Sequence, residues 1–212
     1  MLSQWRRSFP WRCSSTSKRS PRHNSVVFAS SNPEKLREVH DILSKHGVNA
    51  VPIRLDLNEP DLLDQRAIAQ AKAQTAFLKL RRPAIAEDTA VYFNATPGYP
   101  GVRASREFTR LGFDGLLAKV KGNGRGARFV TMVAYCDSPD SKPMVFAGVL
   151  HGRIAQIPKS TGNRGMKFPY ERIFRPCGQQ KMLCEMSAAH KARISHRSKA
   201  LARFAKWFKS RQ

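Results

Sequence analysis

Two adjacent acidic residues, Glu87 and Asp88, follow a short apolar run at residues 83–86. The run predicts a buried strand that ends at the two acids. Ligands of open α/β sheets bind beyond the carboxyl ends of strands. Carboxylates placed there suit Mg²⁺, a hard cation that few carboxylates and substrate phosphates hold together. The alternative interpretation is an ordinary turn followed by a helix cap.

A second group of polar residues, SSNPEK at residues 30–35, lies between a predicted strand and a predicted helix. Asn32 is a favourable helix cap and Pro33 suits the first helical turn. Free N–H groups at a helix start, the positive end of the helix dipole and Lys35 one turn later together form an anion site. The alternative is a plain helix cap with a solvated lysine.

A third group concentrates hydrogen-bond donors near the C-terminus, where Lys191 shortly precedes Ser195, His196 and Arg197 at a predicted helix start. Such a concentration of donors would suit an anionic or acceptor-rich ligand. The alternative is a solvated basic face, which is the more common role of such charge runs.

The elements that must position these groups alternate between strands and helices, which predicts an α/β fold with a long mixed sheet. Apolar runs bounded by turn residues predict the strands, and residues 91–93 are expected to form a hairpin partner of the strand before them. Helical periodicity predicts the helices. The predicted strands are 26–29, 48–57, 83–86, 91–93, 128–136 and 144–150. One predicted helix starts at Pro33, and three others cover 64–80, 108–120 and 195–209.

The charge of the chain is strongly positive, with 38 Lys and Arg against 15 Asp and Glu and a formal net charge of +23. Such an excess attracts polyanions, which include nucleic acid, nucleotides and anionic lipid. No acidic residue precedes Glu34 and none follows Glu185, so much of the charge lies at the two ends. No apolar run is long enough to cross a bilayer, which predicts a soluble or peripheral protein.

Residues 1–24 are rich in Arg and Ser and contain no acid, a composition that favours a mitochondrial transit peptide. The alternative is a basic arm that stays on a cytoplasmic protein. Six basic residues lie in this segment, and their removal from the net charge of +23 leaves +17. The folded domain is therefore expected to cover residues 25–212 and to remain strongly basic.

Taken in order, these motifs resemble the inosine triphosphate pyrophosphatase family, whose members cleave non-standard purine nucleotides. Residues 30–35 resemble the family's Thr-Gly-Asn-x-x-Lys motif, and AEDT at 86–89 matches its acidic motif. FPYERIF at 168–174 resembles Phe-Gly-Tyr/Trp-Asp-Pro-x-Phe, and residues 195–197 match the terminal Ser-His-Arg motif. Each match alone is weak, but their shared order over most of the chain makes chance similarity very improbable.

The resemblance implies a role for each matched residue. The α/β fold would form two lobes around an active cleft, and the protein would be a homodimer. Asp88, together with Glu87, would act on the attacking water. Glu59 and Asp88 would hold Mg²⁺, with Mn²⁺ as an alternative. The triphosphate would be held by Ser30, Asn32, Lys35 and Lys72, and the base would be contacted by Phe168, Tyr170, Glu171, Lys191, Ser195, His196 and Arg197.

The departures from the family pattern lie in the predicted base-reading loop, where Pro169, Glu171 and Arg172 replace Gly, Asp and Pro. Arg172 is expected to pair with Glu171 and to draw its carboxylate away from the base. We therefore expect a looser base preference than in better-matched members.

A competing hypothesis follows from the residual charge of +17, which exceeds what one bound nucleotide requires. A protein of this ancestry could be recruited to RNA, for instance as a mitochondrial ribosomal or ribonucleoprotein component. Retention of the phosphate and metal residues favours the enzyme.

Overall fold

The computed structural model describes residues 25–57, 60–61, 64–122, 124–160 and 168–211. Within these ranges the chain forms seven strands and five α-helices. The strands are β1 (Ser25–Ser30), β2 (Asn49–Arg54), β3 (Ala84–Phe93), β4 (Pro100–Gly101), β5 (Gly126–Cys136), β6 (Met144–Ile154) and β7 (Phe174–Pro176). The helices are α1 (Pro33–Lys45), α2 (Gln65–Leu80), α3 (Ala104–Ala118), α4 (Ala188–Ile194) and α5 (His196–Ser210).

The strands form one mixed sheet in the order β2-β1-β3-β5-β6-β7, and β4 pairs with β3. β1 pairs in parallel with both β2 and β3, whereas β5, β6 and β7 continue the sheet in antiparallel pairs. This arrangement confirms the predicted α/β fold with a mixed sheet.

β3 is one continuous strand, so the predicted hairpin between residues 83–86 and 91–93 is wrong. All ten residues of β3 pair with β5, from Ala84 opposite Cys136 to Phe93 opposite Ala127. Parallel pairing with β1 extends only as far as Ile85. The acids at 87 and 88 therefore lie inside a strand, but just beyond the carboxyl end of its parallel neighbour.

Helices cover both faces of the central strands. α1 and α5 pack on one face, where Val39, Leu43, Leu201 and Phe204 are fully buried. α2 covers the other face through an alanine stripe, Ala69, Ala73 and Ala76. The spacing of these alanines places them on one side of the helix, and their small size brings the helix backbone close to the strands.

A third apolar cluster lies at the antiparallel end of the sheet. It contains Phe93, Phe129 and Phe174 from the strands, together with Leu116 of α3 and Tyr170. Among the described residues, apolar cores therefore lie on both faces of the parallel strands and also against the antiparallel strands. The two lobes expected from the resemblance stay a prediction.

The helices differ from expectation in two places. α3 begins at Ala104, four residues before the predicted start, and α4 was not predicted at all. α4 has only seven residues, too few for a clear apolar period, and its Ser187 cap accepts a hydrogen bond from His190 N. Within the described part of the chain, no helix is long and apolar enough to span a bilayer.

Gly148 marks the place where α5 crosses β6 at close range. A Cβ atom at this position would lie 2.0 Å from the carbonyl oxygen of His196 and 2.5 Å from the backbone nitrogen of Ala200. Because both are backbone atoms of a packed helix, α5 would have to move away. We expect Gly148→Ala to lower the free energy of unfolding by about 2 kcal/mol.

Urea denaturation measures this loss, and Gly178→Ala is the matched control. A Cβ atom at Gly178 meets open space, so only its left-handed φ of +72° opposes the substitution. That strain is worth about 1 kcal/mol. An equal or smaller loss for Gly148→Ala would contradict the close approach of helix and strand.

Candidate active site

Glu87 and Asp88 point to opposite faces of the sheet, because successive side chains of a strand alternate. Each acid meets a lysine from the helix on its own face. Lys35 of α1 contacts Glu87 at 2.5 Å, and Lys72 of α2 contacts Asp88 at 3.2 Å. The two acids therefore belong to separate ion pairs, an arrangement that their adjacency in sequence does not reveal.

Asp88 keeps one carboxylate oxygen without a partner. Its Oδ1 accepts a hydrogen bond from Lys72, whereas Oδ2 is buried and has no hydrogen-bond partner among the described residues. Burial raises the pKa of Asp88 above its ordinary value, although the charge of Lys72 acts to lower it. Such an oxygen can bind a cation or accept a proton.

The backbone beside Asp88 is fixed by a buried glutamine. Gln65 Nε2 donates to the carbonyl oxygens of Asp88 and Val130, at 3.1 and 3.0 Å. These two bonds tie the first turn of α2 to β3 and β5. Gln65 was not recognised in the sequence, because a glutamine at a helix start gives no signal of its own.

Glu87 lies at the centre of a buried cluster of charges. Besides Lys35, its carboxylate faces Arg197 Nε at 3.5 Å and accepts a hydrogen bond from Thr89 Oγ1 at 2.7 Å. Burial alone would raise the pKa of Glu87, but the charges of Lys35 and Arg197 outweigh it and hold the pKa well below its usual range. Glu87 is thus an ionised anchor, while Asp88 keeps the unpartnered oxygen.

Arg197 connects this cluster to α1. Its Nη1 donates to Glu38 Oε2 at 2.7 Å and its Nη2 donates to Thr89 Oγ1 at 3.4 Å. The surrounding carboxylates raise the pKa of Arg197 against the effect of burial. Its guanidinium is committed to contacts within the protein, and its assignment to the base stays a prediction.

The turn between β1 and α1 has the predicted form. Asn32 Oδ1 accepts from the backbone nitrogens of Glu34 and Lys35, and Ser30 Oγ accepts from Asn32 N. Both side chains therefore shape the turn through their acceptor atoms. The turn places the start of α1 and the Lys35 ammonium on the Glu87 face of the sheet.

Ser195 and His196 are both buried at the start of α5. Ser195 Oγ caps the helix by accepting from Ser198 N, and its predicted contact with a substrate stays a prediction. The His196 ring stacks on Phe129 at 4.9 Å, and its Nδ1 lies 2.6 Å from Thr131 Oγ1. Burial, and then the charge of Arg197, lower the pKa of His196 well below its ordinary value.

Glu171 pairs with Lys191 rather than with Arg172. The Lys191 ammonium donates to Glu171 Oε2 in a very short contact, and both side chains are about four-fifths buried. The predicted pairing of Arg172 with Glu171 is wrong. The Arg172 guanidinium lies over the Phe113 ring at 4.7 Å and donates to the Lys159 carbonyl at 2.6 Å.

Of the two aromatic residues predicted to stack on a base, only Phe168 retains exposed surface. Its ring meets Phe129 edge-on at 5.8 Å. Tyr170 is fully buried and its hydroxyl donates to the Ala104 carbonyl at 2.9 Å. The Tyr170 ring is therefore part of the core in this structure, and its stacking on a base stays a prediction. Glu59, the other predicted metal ligand, lies outside the described residues.

A model of the Ham1 family matches residues 26–207, which is most of the chain. The chain belongs to the Ham1 family. The dITP/XTP pyrophosphatase of Methanopyrus kandleri is 36% identical over 188 residues, covering 87% of this chain and 96% of that protein. The inosine triphosphate pyrophosphatase of Yarrowia lipolytica is 36% identical over 179 residues, covering 84% and 92% respectively.

Solved structures of the Ham1 family share the fold. A HAM1 protein from Coxiella burnetii superposes with a TM-score of 0.74 at 26% identity and covers 88% of this chain and 98% of its own. A dITP/XTP pyrophosphatase from Mycobacterium abscessus gives 0.63 at 30% identity and covers 85% and 98%. The resemblance inferred from the sequence motifs is thereby confirmed at the level of the family.

Two further polar residues of this Ham1 site were not recognised in the sequence. Thr131 lies directly opposite Thr89 in the β3–β5 pair, and their hydroxyls are 2.6 Å apart. A threonine in the middle of the apolar run of β5 was the available signal. The second residue, Glu38, contacts Arg197, which lies 159 positions further along the chain, so no local pattern indicates the contact.

Proposed function

We propose that this Ham1 protein hydrolyses non-standard purine nucleoside triphosphates, namely ITP, dITP and XTP, to the monophosphate and pyrophosphate. Removal of these compounds would cleanse the nucleotide pool. The names of the relatives support this substrate class, since they are dITP/XTP and inosine triphosphate pyrophosphatases. Lys35 and Lys72 support it as well, because each is a cation beside a buried carboxylate and a triphosphate requires cations.

The observation that carries the proposal is the unpartnered Oδ2 of Asp88. A buried carboxylate oxygen without a partner is unfavourable in a folded protein unless a ligand uses it. Lys72 and the backbone contact of Gln65 hold the Asp88 side chain and its strand in place. The arrangement provides a fixed oxygen that can orient a water molecule and accept its proton.

The residues present fit a divalent cation. Carboxylate oxygens are the ligands of Mg²⁺ and Mn²⁺, and Mg²⁺ is often held by one or two carboxylates together with substrate phosphates. Asp88 and Glu59 would hold the ion, which when bound offsets the charge that develops on the phosphates.

The side chains of the chain itself would divide the remaining work. Asp88 orients the water and takes its proton as the water oxygen bonds to the α-phosphorus. The bond from that phosphorus to the bridging oxygen breaks, and pyrophosphate leaves. Lys35 and the N–H groups at the start of α1 would hold the phosphates of the nucleoside triphosphate.

The direct test is a pyrophosphate-release assay with Mg²⁺ over ITP, dITP, XTP, ATP and GTP. We expect release from the first three well above release from ATP. Omission of the metal is expected to abolish release. Release from none of the triphosphates would contradict the proposal.

A second candidate function, RNA binding, is favoured by the outer face of α5. Four cations, Lys199, Arg203, Lys206 and Lys209, are exposed along this helix without an acidic residue among them. Such a stripe attracts phosphate backbones regardless of sequence. Absence of pyrophosphate release, together with salt-sensitive binding of an RNA oligonucleotide, would favour this candidate over the enzyme.

We propose further that residues 1–24 direct the protein to mitochondria and are removed before Ser25. Six basic residues without an acid support this assignment. A fluorescent fusion of residues 1–24 is expected to enter mitochondria. A matched fusion in which the six Arg and Lys residues are replaced by Gln should stay in the cytosol. Cytosolic location of the unaltered fusion would refute the assignment.

A further inference from the structure

A continuous chain of hydrogen bonds runs through the protein interior from Glu87 to His196. Thr89 Oγ1 lies 2.7 Å from Glu87 Oε2 and 2.6 Å from Thr131 Oγ1, and Thr131 Oγ1 lies 2.6 Å from His196 Nδ1. Glu87, Thr131 and His196 are each at most 6% exposed, and Thr89 between them is half-buried. Side chains from β3, β5 and α5 are thus joined by three short bonds.

The direction of every bond in this chain follows from its first member. Glu87 faces Lys35 and Arg197, so it is an ionised carboxylate that can only accept. Thr89 must therefore donate its single hydroxyl hydrogen to Glu87. Arg197 Nη2 can only donate, and it also points at Thr89 Oγ1, which agrees with Thr89 accepting from its other neighbours.

The same assignment of hydrogen-bond donors extends from Thr89 to His196. Because the hydrogen of Thr89 is used, Thr131 must donate its own hydrogen to Thr89. Thr131 can then only accept from His196, so the hydrogen between them belongs to His196 Nδ1. The order of donors assigns the tautomer of a buried imidazole, an assignment that coordinates of heavy atoms do not give directly.

The opposite nitrogen of the ring is left as an acceptor. Burial keeps His196 neutral because it lowers its pKa well below the ordinary value. A neutral imidazole with a hydrogen on Nδ1 carries a free lone pair on Nε2. Among the described residues none donates to Nε2, and Nε2 is not one of the buried polar atoms left without a partner.

We propose that Thr89 and Thr131 hold His196 in its Nδ1–H tautomer, so that Nε2 accepts the ring N–H of a 6-oxopurine and rejects adenine. This inference rests on the proposed function for its substrate class. The His196 ring stacks on Phe129, which also contacts Phe168, a half-buried aromatic residue of the predicted base site. Thr89 and Thr131 are positioning residues, since they act through His196.

The chemistry of the two bases explains the selection. A 6-oxopurine presents a donor at N1 beside an acceptor at O6, whereas adenine presents an acceptor at N1 beside an amino donor. The Nε2 acceptor of His196 and the Lys191 donor would match the first pattern and oppose the second.

The first measurement is the ¹⁵N spectrum of the imidazoles in the full-length protein, with the His196 signals assigned by their loss in His196→Gln. We expect Nδ1 to resonate as a protonated nitrogen and Nε2 as an unprotonated one. Protonation of Nε2 in the wild-type protein would overturn the proposal, and this result needs no positioning variant to fold and no turnover.

Thr131→Val and Thr131→Ser form the matched pair of variants. Valine keeps the branched shape without the hydroxyl, so we expect the Nε2–H tautomer to become populated. The preference for inosine monophosphate over AMP, measured by calorimetry as a ratio of Kd values, should fall about tenfold. Serine keeps the hydroxyl and is expected to restore both the Nδ1–H signal and the preference.

The outcomes separate this inference from the proposed function. An unchanged tautomer and an unchanged Kd ratio in Thr131→Val would overturn the role of the threonines. If Thr131→Val does not fold, Thr89→Val interrupts the same chain one bond earlier and is judged by the same two readouts. Loss of the Kd preference in Thr131→Ser as well would also count against it. If the protein releases no pyrophosphate but keeps the Nδ1–H tautomer of His196 and the preference for inosine monophosphate over AMP, the proposed hydrolysis is refuted and this inference stands.

Discussion

Replacement of Asp88 by Asn is expected to lower the turnover of inosine triphosphate by ~10²–10⁴-fold, the usual loss when a positioned base is removed. The amide keeps the shape of the side chain and an oxygen that can accept from Lys72. It cannot take a proton from water, and it is a poor ligand for a divalent cation. Because burial already disfavours the charged form of Asp88, the neutral amide should leave the fold largely intact.

The measurement is kcat for pyrophosphate release, together with the thermal midpoint of both proteins. Asp114→Asn is the matched control, since Asp114 is an exposed acid of α3 and its loss should leave kcat unchanged. Near-normal turnover of Asp88→Asn would mean that Asp88 is not the base that accepts the proton of the attacking water. A collapsed thermal midpoint would show that Asp88 is needed for folding.

The local part of the fold could be predicted from sequence wherever one short segment holds all the signals. The start of α1 is an example, because Asn32, Pro33 and the apolar stripe of Val39 and Leu43 lie within one run. α5 is another, since its buried Leu201 and Phe204 have helical spacing. Such segments need no knowledge of the rest of the chain.

Properties that depend on partners distant in sequence could not be predicted. β3 continues through its acids because β5 pairs with its whole length, and no local pattern of residues 84–93 indicates that support. The separation of Glu87 and Asp88 onto opposite faces follows from that continuity. Once the acids are separated, Glu87 becomes the ion-paired anchor and Asp88 keeps the unpartnered oxygen.

The contacts within the proposed base site could not be predicted from the sequence. The motif resemblance proposes Phe168, Tyr170 and Lys191 as base contacts, yet it does not show that Tyr170 packs inward. Nor does it show that Arg172 turns towards Phe113, where cation–π contact and a backbone carbonyl satisfy it. Sequence neighbours such as Glu171 and Arg172 point to different partners because the short turn at 169–172 rotates successive side chains apart.

Replacement of Glu171 by Asp is expected to raise the preference for inosine triphosphate over ATP by ~10²-fold, since a misplacement of about 1 Å in a site can change rates on that scale. In the present structure one of the three N–H donors of Lys191 is directed at the Glu171 carboxylate. A side chain one methylene shorter moves that carboxylate and so changes the direction in which Lys191 presents a donor to the base. That donor can bind the O6 acceptor of a 6-oxopurine, whereas adenine offers an amino group at the same position.

The measurement is the ratio of kcat/KM for inosine triphosphate to kcat/KM for ATP, in wild type and variant. Arg172→Lys is the matched control, because Arg172 is adjacent in sequence but contacts Phe113 and the Lys159 carbonyl rather than Glu171. It should leave the ratio unchanged. Because Lys35 and Lys72, the lysines proposed to bind phosphate, are untouched by either change, KM for the preferred triphosphate should stay within a small factor. An unchanged ratio in Glu171→Asp would mean that Glu171 does not influence the base, and the pocket would have to be placed elsewhere.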